Sequence, residues 1–174
     1  VVEKENPTFI QKVFQSALSK KRKSQSIIKV DGMEDVLVRF GKCCDPIPGD
    51  PVVGFISRGR GITIHKVDCE RAFEVDQARR IDVEWSVNST PNGIERIVRL
   101  KIVSQDLPGL LKNMSETFAI RGMNIHNAQI RTTKDKKAVC LFDVGVKDTG
   151  QLNQVIQDLQ KIKGIMGVTR VINS

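Results

Sequence analysis

The sequence predicts an α+β protein with two small folded units: a β-rich Cys/His module with one helix and, after it, a ferredoxin-like βαββαβ domain. An N-terminal helical linker precedes both units. Three patterns support this: helical spacing of apolar residues near the start, short β-rich runs broken by glycine and proline in the middle, and regular strand and helix patterns in the last part. We place the linker at 1–35, the Cys/His module at 36–87 and the ferredoxin-like domain at 94–174.

The linker prediction rests on the segment Thr8–Lys23, where apolar residues recur every three or four positions and form one stripe of an amphipathic helix. The segment ends in the basic run KKRK, followed by SQS. This pattern is typical of a solvated helix end and a linker, and contact with phosphates is the alternative interpretation.

The Cys/His module is predicted from the runs VLVRF, VVGFIS and ITIH, which are separated by CCDPIPGDP and RGRG. Such short β-rich runs indicate strands joined by tight turns. We expect one helix over Cys69–Ala78 and a closing strand in IDVEWSV. The turn-rich segment 88–93, NSTPNG, suits a domain boundary.

The ferredoxin-like domain has the most regular pattern. Ile94–Gln105 alternates apolar and polar residues, which predicts a half-buried strand. A helix follows from Leu110 and ends at Gly122, and a second amphipathic helix ends at Gly164. Between the helices we expect a hairpin of Asn124–Thr133 and Ala138–Val146, and after them a last strand, GVTRVI. The order βαββαβ places two helices on one face of an antiparallel sheet.

Composition narrows the function classes. Hydrophobic residues make up 40% and charged residues 28% of the chain, and no run approaches the roughly 20 apolar residues that a bilayer requires. We therefore expect a soluble cytoplasmic protein with no membrane partner. The net charge is +8, and residues 94–174 hold 13 basic and 7 acidic side chains. This excess suits contact with nucleic-acid phosphates, and it also serves solubility.

The residues provide little for catalysis. The chain has two histidines and no tyrosine, and no spacing matches a nucleophile with its base, a glycine-rich phosphate cradle or a carboxylate-bound metal. We expect neither enzymatic activity nor a catalytic cofactor in this chain.

One set of soft ligands is concentrated in the Cys/His module: Cys43, Cys44, His65 and Cys69. Three thiols and one imidazole match a structural zinc site, and a small module gains stability from such an ion. Because adjacent residues of a strand point to opposite faces, Cys43 and Cys44 can share an ion only if a turn begins there. The alternatives are packed, metal-free thiols and redox pairing. If zinc is bound, chelation should unfold the module and spare the next domain.

The string VRFGKCCDPIPGDPVVGFISRGRGITIHKVDCE resembles the conserved-cysteine or zinc-finger module of Rel/SpoT stringent-response enzymes. Residues 94–174 resemble the ACT domain of the same enzymes, so the resemblance covers about 27–174. It implies a parent enzyme that makes and degrades (p)ppGpp, a GTP pyrophosphokinase, whose catalytic domains are not in this chain. The chain itself is then a regulatory region that relays ribosome or amino-acid state to those domains.

The resemblance also implies partners. In ribosome-bound members the module and the ACT domain meet ribosomal RNA, and the matching positions here are Arg58, Arg60, His65 and Lys66. The residue types suit that role, because Arg58-Gly-Arg60-Gly places two guanidinium groups on a flexible turn. A solvated basic turn is the alternative interpretation.

ACT domains bind small amino acids near the loop after their first strand, often between paired domains, which suggests a homodimer. We expect that loop to face the start of the second strand, with a branched-chain amino acid as effector. Amide groups at the helix start would bind the carboxylate, and Asp106 or Asn124 the ammonium. Alternatively, Asp106 only caps the helix. The candidate ligand residues are Asp106, Leu107, Gly109, Leu110, Leu111, Asn124 and Ile125.

Two other functions compete with regulation of a parent enzyme. The chain could be a stand-alone RNA-binding module, which its basic charge permits. It could also be an ACT-type amino-acid sensor of biosynthesis, although regulators built around an ACT domain alone do not need the Cys/His module.

Overall fold

The computed structural model describes residues 27–30, 36–59, 61–86 and 95–172. The helix predicted over Thr8–Lys23, the turn at 88–93 and Arg60 lie outside the described residues.

The Cys/His module contains two small sheets. A four-stranded sheet has the order β2-β4-β3-β5, in which β2 is parallel to β4 and the other pairs are antiparallel. A separate antiparallel pair joins β1 to β6. The elements are β1 (Ile28–Val30), β2 (Val38–Phe40), β3 (Val52–Ser57), β4 (Gly61–Lys66), α1 (Glu70–Phe73), β5 (Arg80–Ile81) and β6 (Val83–Trp85).

Two sequence predictions for this module need correction. The predicted linker, 1–35, extends too far, because Ile28 is 2% exposed and belongs to the module core, where β1 pairs with β6. The predicted helix Cys69–Ala78 is too long, since α1 ends at Phe73. Among the residues of α1 only Ala72 is buried, so the helix has little apolar surface to hold it against the module.

The ferredoxin-like domain confirms the predicted βαββαβ order. Its sheet has the order β10-β7-β9-β8, and all neighbouring strands are antiparallel. Both helices cover one face of the sheet and share one apolar core with it. The elements are β7 (Arg96–Gln105), α2 (Leu110–Ile120), β8 (Ile125–Thr132), β9 (Lys137–Val146), α3 (Thr149–Gln160) and β10 (Ile165–Val171).

The ends of the two helices follow from local chemistry. Gly122 has φ 64° and its N–H donates to the Ala119 carbonyl at 2.9 Å, while the Met123 N–H donates to the Phe118 carbonyl at 2.9 Å. These two bonds form a Schellman motif, which confirms Gly122 as the end of α2. At the start of α3, the Asp148 carboxylate accepts from the Gln151 N–H at 2.8 Å.

The segment Asp45–Asp50, hereafter the docking turn, lies between β2 and β3 and contacts the ferredoxin-like domain. Its Ile47 is 0% exposed and belongs to the core of that domain rather than to the core of its own module. The Asp50 carboxylate accepts from Arg170 at 3.1 Å, and the Pro48 carbonyl accepts from the Thr149 N–H at 2.8 Å. The two units are therefore packed together through buried as well as polar contacts.

Among the helices that the structure describes, none is both long and apolar enough to cross a bilayer.

We predict that Asp143→Asn destabilises the ferredoxin-like domain by about 1 kcal/mol at pH 7. Arg99 binds the Asp143 carboxylate through two bonds, of 2.6 and 2.7 Å, and holds the pKa of Asp143 below its usual value. The carboxylate therefore contributes stability above its unfolded pKa of about 3.9, and this contribution is lost as the pH falls. Denaturant unfolding should give a smaller difference at pH 3 than at pH 7, and an equal difference at both would contradict this role.

Candidate functional site

The four soft ligands of the Cys/His module converge, and their ligand atoms lie within 4.8 Å of one another. Cys43 Sγ is 3.3 Å from His65 Nδ1 and 3.5 Å from Cys69 Sγ. His65 Nδ1 is also 3.6 Å from Cys44 Sγ and 3.8 Å from Cys69 Sγ. All four cysteines of the chain are free thiols.

These distances fit a tetrahedral ion. Zinc–sulfur bonds of about 2.3 Å and zinc–nitrogen bonds of about 2.0 Å give tetrahedral edges of about 3.5 to 3.8 Å between ligand atoms. The distances from His65 Nδ1 to the three sulfur atoms and from Cys43 Sγ to Cys69 Sγ, 3.3 to 3.8 Å, are close to these values. A disulfide requires sulfur atoms about 2.05 Å apart, so the 3.5 Å between Cys43 and Cys69 describes two thiols that face a common centre.

The turn that the two adjacent cysteines require is present. The N–H groups of Cys44 and Asp45 donate to the Gly41 carbonyl at 3.3 and 2.8 Å, and Asp45 has φ 38°. The backbone therefore leaves the extended conformation after Phe40, and both thiols reach the same side. A Cβ at Gly41 would lie 2.6 Å from the His65 ring, so only glycine leaves room for the imidazole.

The other two ligands come from β4 and from the start of α1. His65 pairs with Val53 across the sheet, is 9% exposed, and meets the ring of Phe55 edge-on at 5.9 Å. Cys69 is the N-cap residue of α1. One ion at this position would join the turn after β2, the strand β4 and the start of α1.

Burial governs the ionisation of these groups. It raises the pKa of Cys44 to about 12, raises the pKa of Cys43, and lowers the pKa of His65. Burial opposes ionisation of Cys69 too, but hydrogen bonds from Cys43 and from the Ala72 N–H lower its pKa overall. A metal ion held here would need neutral imidazole and thiolate ligands, and the lowered pKa values of His65 and Cys69 favour those forms of the two groups.

A groove of about 360 Å³ opens beside the cluster and gives access to it. Its walls mix basic and acidic side chains, and Ile172 contributes from the end of the ferredoxin-like domain. Besides the three cysteines, the lining residues are Lys42, Lys66, Asp68, Glu70, Arg71 and Ile172.

The three candidate RNA contacts that the structure describes, Arg58, His65 and Lys66, do not form one patch. Arg58 is exposed at the tip of the β3–β4 hairpin, next to Gly59, which has φ 69°. Lys66 lies at the opposite end of β4, about 17 Å away along the strand, and pairs with Asp68 at 3.4 Å. His65 is buried in the Cys/His cluster, so its ring does not face solvent.

The candidate amino-acid site is not assembled within one chain, which corrects the prediction that its two halves face each other. The loop with Asp106 follows Gln105, which pairs with Lys137, whereas Ile125 pairs with Val144 at the other end of β9. The seven residues between Lys137 and Val144 correspond to about 23 Å. Asn124 therefore lies at the opposite end of the sheet from Asp106.

The loop residues differ in their availability. Leu110 is 6% exposed and packs in the core, so its side chain cannot contact a ligand as predicted. Leu107 and Leu111 are 41% and 47% exposed, and Gly109 has φ 80° with open space above it.

The proposed capping role of Asp106 is wrong, because the N-cap residue of α2 is Gly109. Among the described residues, no side chain caps this helix. The Asp106 N–H donates instead to the Lys136 carbonyl at 2.9 Å, which fixes the loop against the β8–β9 turn.

Comparison with known proteins assigns both folded units to known domain families. Residues 28–86 match the model of the RelA/SpoT RIS domain, and residues 94–170 match that of the ACT domain. The chain is 43% identical over 150 residues to a GTP pyrophosphokinase of Myxococcus xanthus, a match that covers 86% of this chain and 19% of the relative. The chain therefore contains a RelA/SpoT RIS domain followed by an ACT domain. Its Cys/His module is the RIS domain and its ferredoxin-like domain is the ACT domain, as the resemblance implied.

A second curated relative matches the same part of the chain. The chain is 30% identical over 149 residues to the bifunctional (p)ppGpp synthase/hydrolase RelA of Mycobacterium tuberculosis, covering 84% of this chain and 20% of that protein. The chain thus spans about a fifth of the length of these curated relatives. The solved ACT domain from a GTP pyrophosphokinase of Chlorobium tepidum has a TM-score of 0.41 and 23% identity, covering 45% of this chain and all of that one.

Sequence reasoning missed the docking turn. The signal was an isoleucine between two prolines and two aspartates, in a segment otherwise typical of an exposed turn. Ile47 stands alone in a segment of prolines, aspartates and glycine, and one isoleucine in such a turn does not predict burial in the core of another domain.

We predict that Gly41→Ala abolishes stoichiometric zinc binding, since the new methyl group would displace the His65 ring from the three thiols. Gly167→Ala is the matched control, because a Cβ there meets nothing within 4 Å. Zinc content should be measured after equilibration with excess metal and desalting. Equal zinc in both variants and the parent chain would contradict the assigned ligand set.

Proposed function

We propose that this chain is the regulatory, non-catalytic C-terminal region of a stringent-response (p)ppGpp synthetase/hydrolase and controls its catalytic domains. The observation that carries the proposal is the pairing of a RIS domain, with a tetrahedral ligand set, and an ACT domain. The matched domains are RIS and ACT, and the relatives that share them include GTP pyrophosphokinases.

In this proposal the metal is structural. A bound zinc ion supplies a cross-link between three elements of a domain with small apolar clusters. The residues of the chain position it: Gly41 leaves room for the imidazole, His65 presents Nδ1, and the Lys66 N–H donates to Cys44 Sγ at 3.4 Å. This last bond orients a thiol and stabilises its negative charge.

Ribosomal RNA is the proposed macromolecular partner of the RIS domain. Arg58 is exposed on a glycine-containing turn, which allows the guanidinium to approach a phosphate closely. Arg60 is two positions further along the sequence, so the segment RGR carries two positive charges. Lys66 would make a separate contact at the other end of the hairpin.

This proposal predicts that removing residues 28–172 from the full-length parent leaves its basal GTP pyrophosphokinase activity and eliminates stimulation by ribosomes. Arg58→Glu should reduce the stimulation while leaving basal activity, because a carboxylate at the tip repels phosphates. Lys112→Glu, on exposed α2 surface, is the control. Nucleotide products should be measured with and without ribosomes. An unchanged ribosome response after the deletion would refute the regulatory role.

We also propose an amino-acid effector, which would bind between two copies of the chain. The strand β8 is an edge of the ACT sheet and exposes Ile130 at 43%, and Leu111 of α2 is 47% exposed. Antiparallel pairing of two β8 strands about a twofold axis would place the Gly109 loop of one copy beside Asn124 of the other. A homodimer would therefore assemble the site that one chain keeps apart, with a branched-chain amino acid as ligand.

We predict that Ile130→Glu prevents dimerisation and weakens valine binding together, because it places like charges across the twofold axis. Ile97→Glu is the control, since Ile97 is 52% exposed on the open face of the sheet, away from β8. Asn124→Ala should weaken valine binding and leave the dimer intact. Sedimentation and calorimetry measure both properties. Valine binding by the monomeric variant with parental affinity would exclude the shared site.

A further inference from the structure

We infer that the docking turn couples the Cys/His cluster to the ACT domain, so that metal occupancy of the one and stability of the other change together. This inference rests on the metal site of the proposed function and extends it. The turn is continuous with two of the four ligands, because Asp45 follows Cys43 and Cys44 directly. A rearrangement of the two thiols is therefore passed to the turn through one or two peptide bonds.

The apolar contact of the turn lies deep in the ACT domain. Ile47 is 0% exposed and shares a core with residues of both helices and of the sheet, although it is more than 40 positions away from them in sequence. Withdrawal of this side chain would leave a cavity in the ACT core. Such cavities destabilise a domain by the lost burial and by the incomplete relaxation of their walls.

The polar contacts fix the same turn to β10. Arg170 donates through Nη1 to the Asp50 carboxylate at 3.1 Å and through Nη2 to the Asp45 carbonyl at 2.6 Å. The Asp50 and Arg170 side chains are 10% and 18% exposed, so solvent screens this pair weakly. The Asp50 carboxylate also accepts from the Ile47 N–H at 2.9 Å, which links the ion pair to the buried side chain.

The turn also positions the start of α3. The Thr149 N–H, which has no partner within its own helix, donates to the Pro48 carbonyl at 2.8 Å. Gly49 has φ 97°, and a Cβ there would lie 2.2 Å from Thr149 Oγ1. The turn and the helix start are therefore in close contact, with no space for an intervening side chain.

On the RIS side the turn is held by more than the thiols. There Trp85 Nε1 donates to the Asp50 carbonyl at 2.7 Å. From the ACT side, Arg96 of β7 pairs with Asp45 at 2.6 Å, and its guanidinium lies 4.4 Å from the centre of the Phe40 ring of the RIS domain. The turn thus has well-defined positions relative to both domains. Metal binding at one end and ACT packing at the other favour the same conformation of a single short segment.

Two events that favour one conformation are linked, and the linkage is reciprocal. Metal binding should stabilise the ACT domain near Ile47, and an intact contact with the ACT domain should raise metal affinity. This changes the expectation from sequence that chelation spares the ACT domain. Loss of the ion should loosen the start of α3 and the adjoining part of β10.

The test uses the whole chain with zinc as the probe, and compares Arg170→Gln with Arg99→Gln. Both variants remove an Arg–Asp ion pair from an ACT arginine, but the ion-pair partner of Arg99 is Asp143 on the open face of the sheet, whereas that of Arg170 is Asp50 of the turn. Hydrogen exchange of the Leu152 and Val155 amides is measured with zinc and after chelation, and zinc affinity is measured against a chromophoric chelator.

We expect chelation to accelerate exchange of these amides in the parent chain and in Arg99→Gln, by about fivefold or more. In Arg170→Gln the exchange should be fast already and respond less, and zinc affinity should fall by a similar factor. Asp50→Asn, which keeps the shape of the side chain, should reproduce both effects if Arg170→Gln folds poorly.

The outcomes separate the two proposals. A chain that binds no zinc would overturn the metal site and the coupling with it. Stoichiometric zinc binding with identical ACT exchange in the loaded and chelated states would overturn the coupling alone. Unchanged zinc affinity in both Arg170→Gln and Asp50→Asn would do the same.

Discussion

The contact between the segment Cys43–Asp50 and the two folded units is the constraint on which the rest of the structure depends. The first two residues of this segment turn their thiols toward His65 and Cys69, and its middle places Ile47 in the ACT core. The described residues of the RIS domain form two small apolar clusters rather than one large core, as is common for units of this size. A metal site at one end and a shared buried side chain at the other compensate for that limitation.

The ACT domain was the part most accessible from sequence. Its strands alternate and its helices repeat apolar residues with a period near 3.6, so both element type and order could be predicted. Gly122 was identified as a helix end because a left-handed residue there favours glycine, and its φ of 64° agrees. The strands of the RIS domain are two to six residues long, too short for periodicity to fix their ends or to distinguish a full helix from the single turn of α1.

The sequence could show which residues are candidate ligands, but not always which of them lie close together in space. The four metal ligands could be named because soft ligands are rare in this chain, and the tight turn after Phe40 removed the objection to adjacent cysteines. The amino-acid site was misplaced because a list of elements does not give the direction of each strand. Since β7 and β8 are both antiparallel to β9, they run in the same direction, so Asp106 after the end of β7 and Asn124 before the start of β8 lie at opposite ends of the sheet. The burial of Ile47 depends on the packing of two domains, which no local pattern encodes.

A regulatory region needs elements whose state can change without loss of the fold, and the structure suggests where such an element lies. The metal ligands, the docking turn and the start of α3 are adjacent. A change at the Cys/His cluster therefore reaches the ACT domain through few residues. X-ray absorption of the zinc-loaded chain tests the basis of this account most directly. Three sulfur atoms at about 2.3 Å and one nitrogen at about 2.0 Å are the predicted coordination. A shell of mainly oxygen and nitrogen ligands would contradict it.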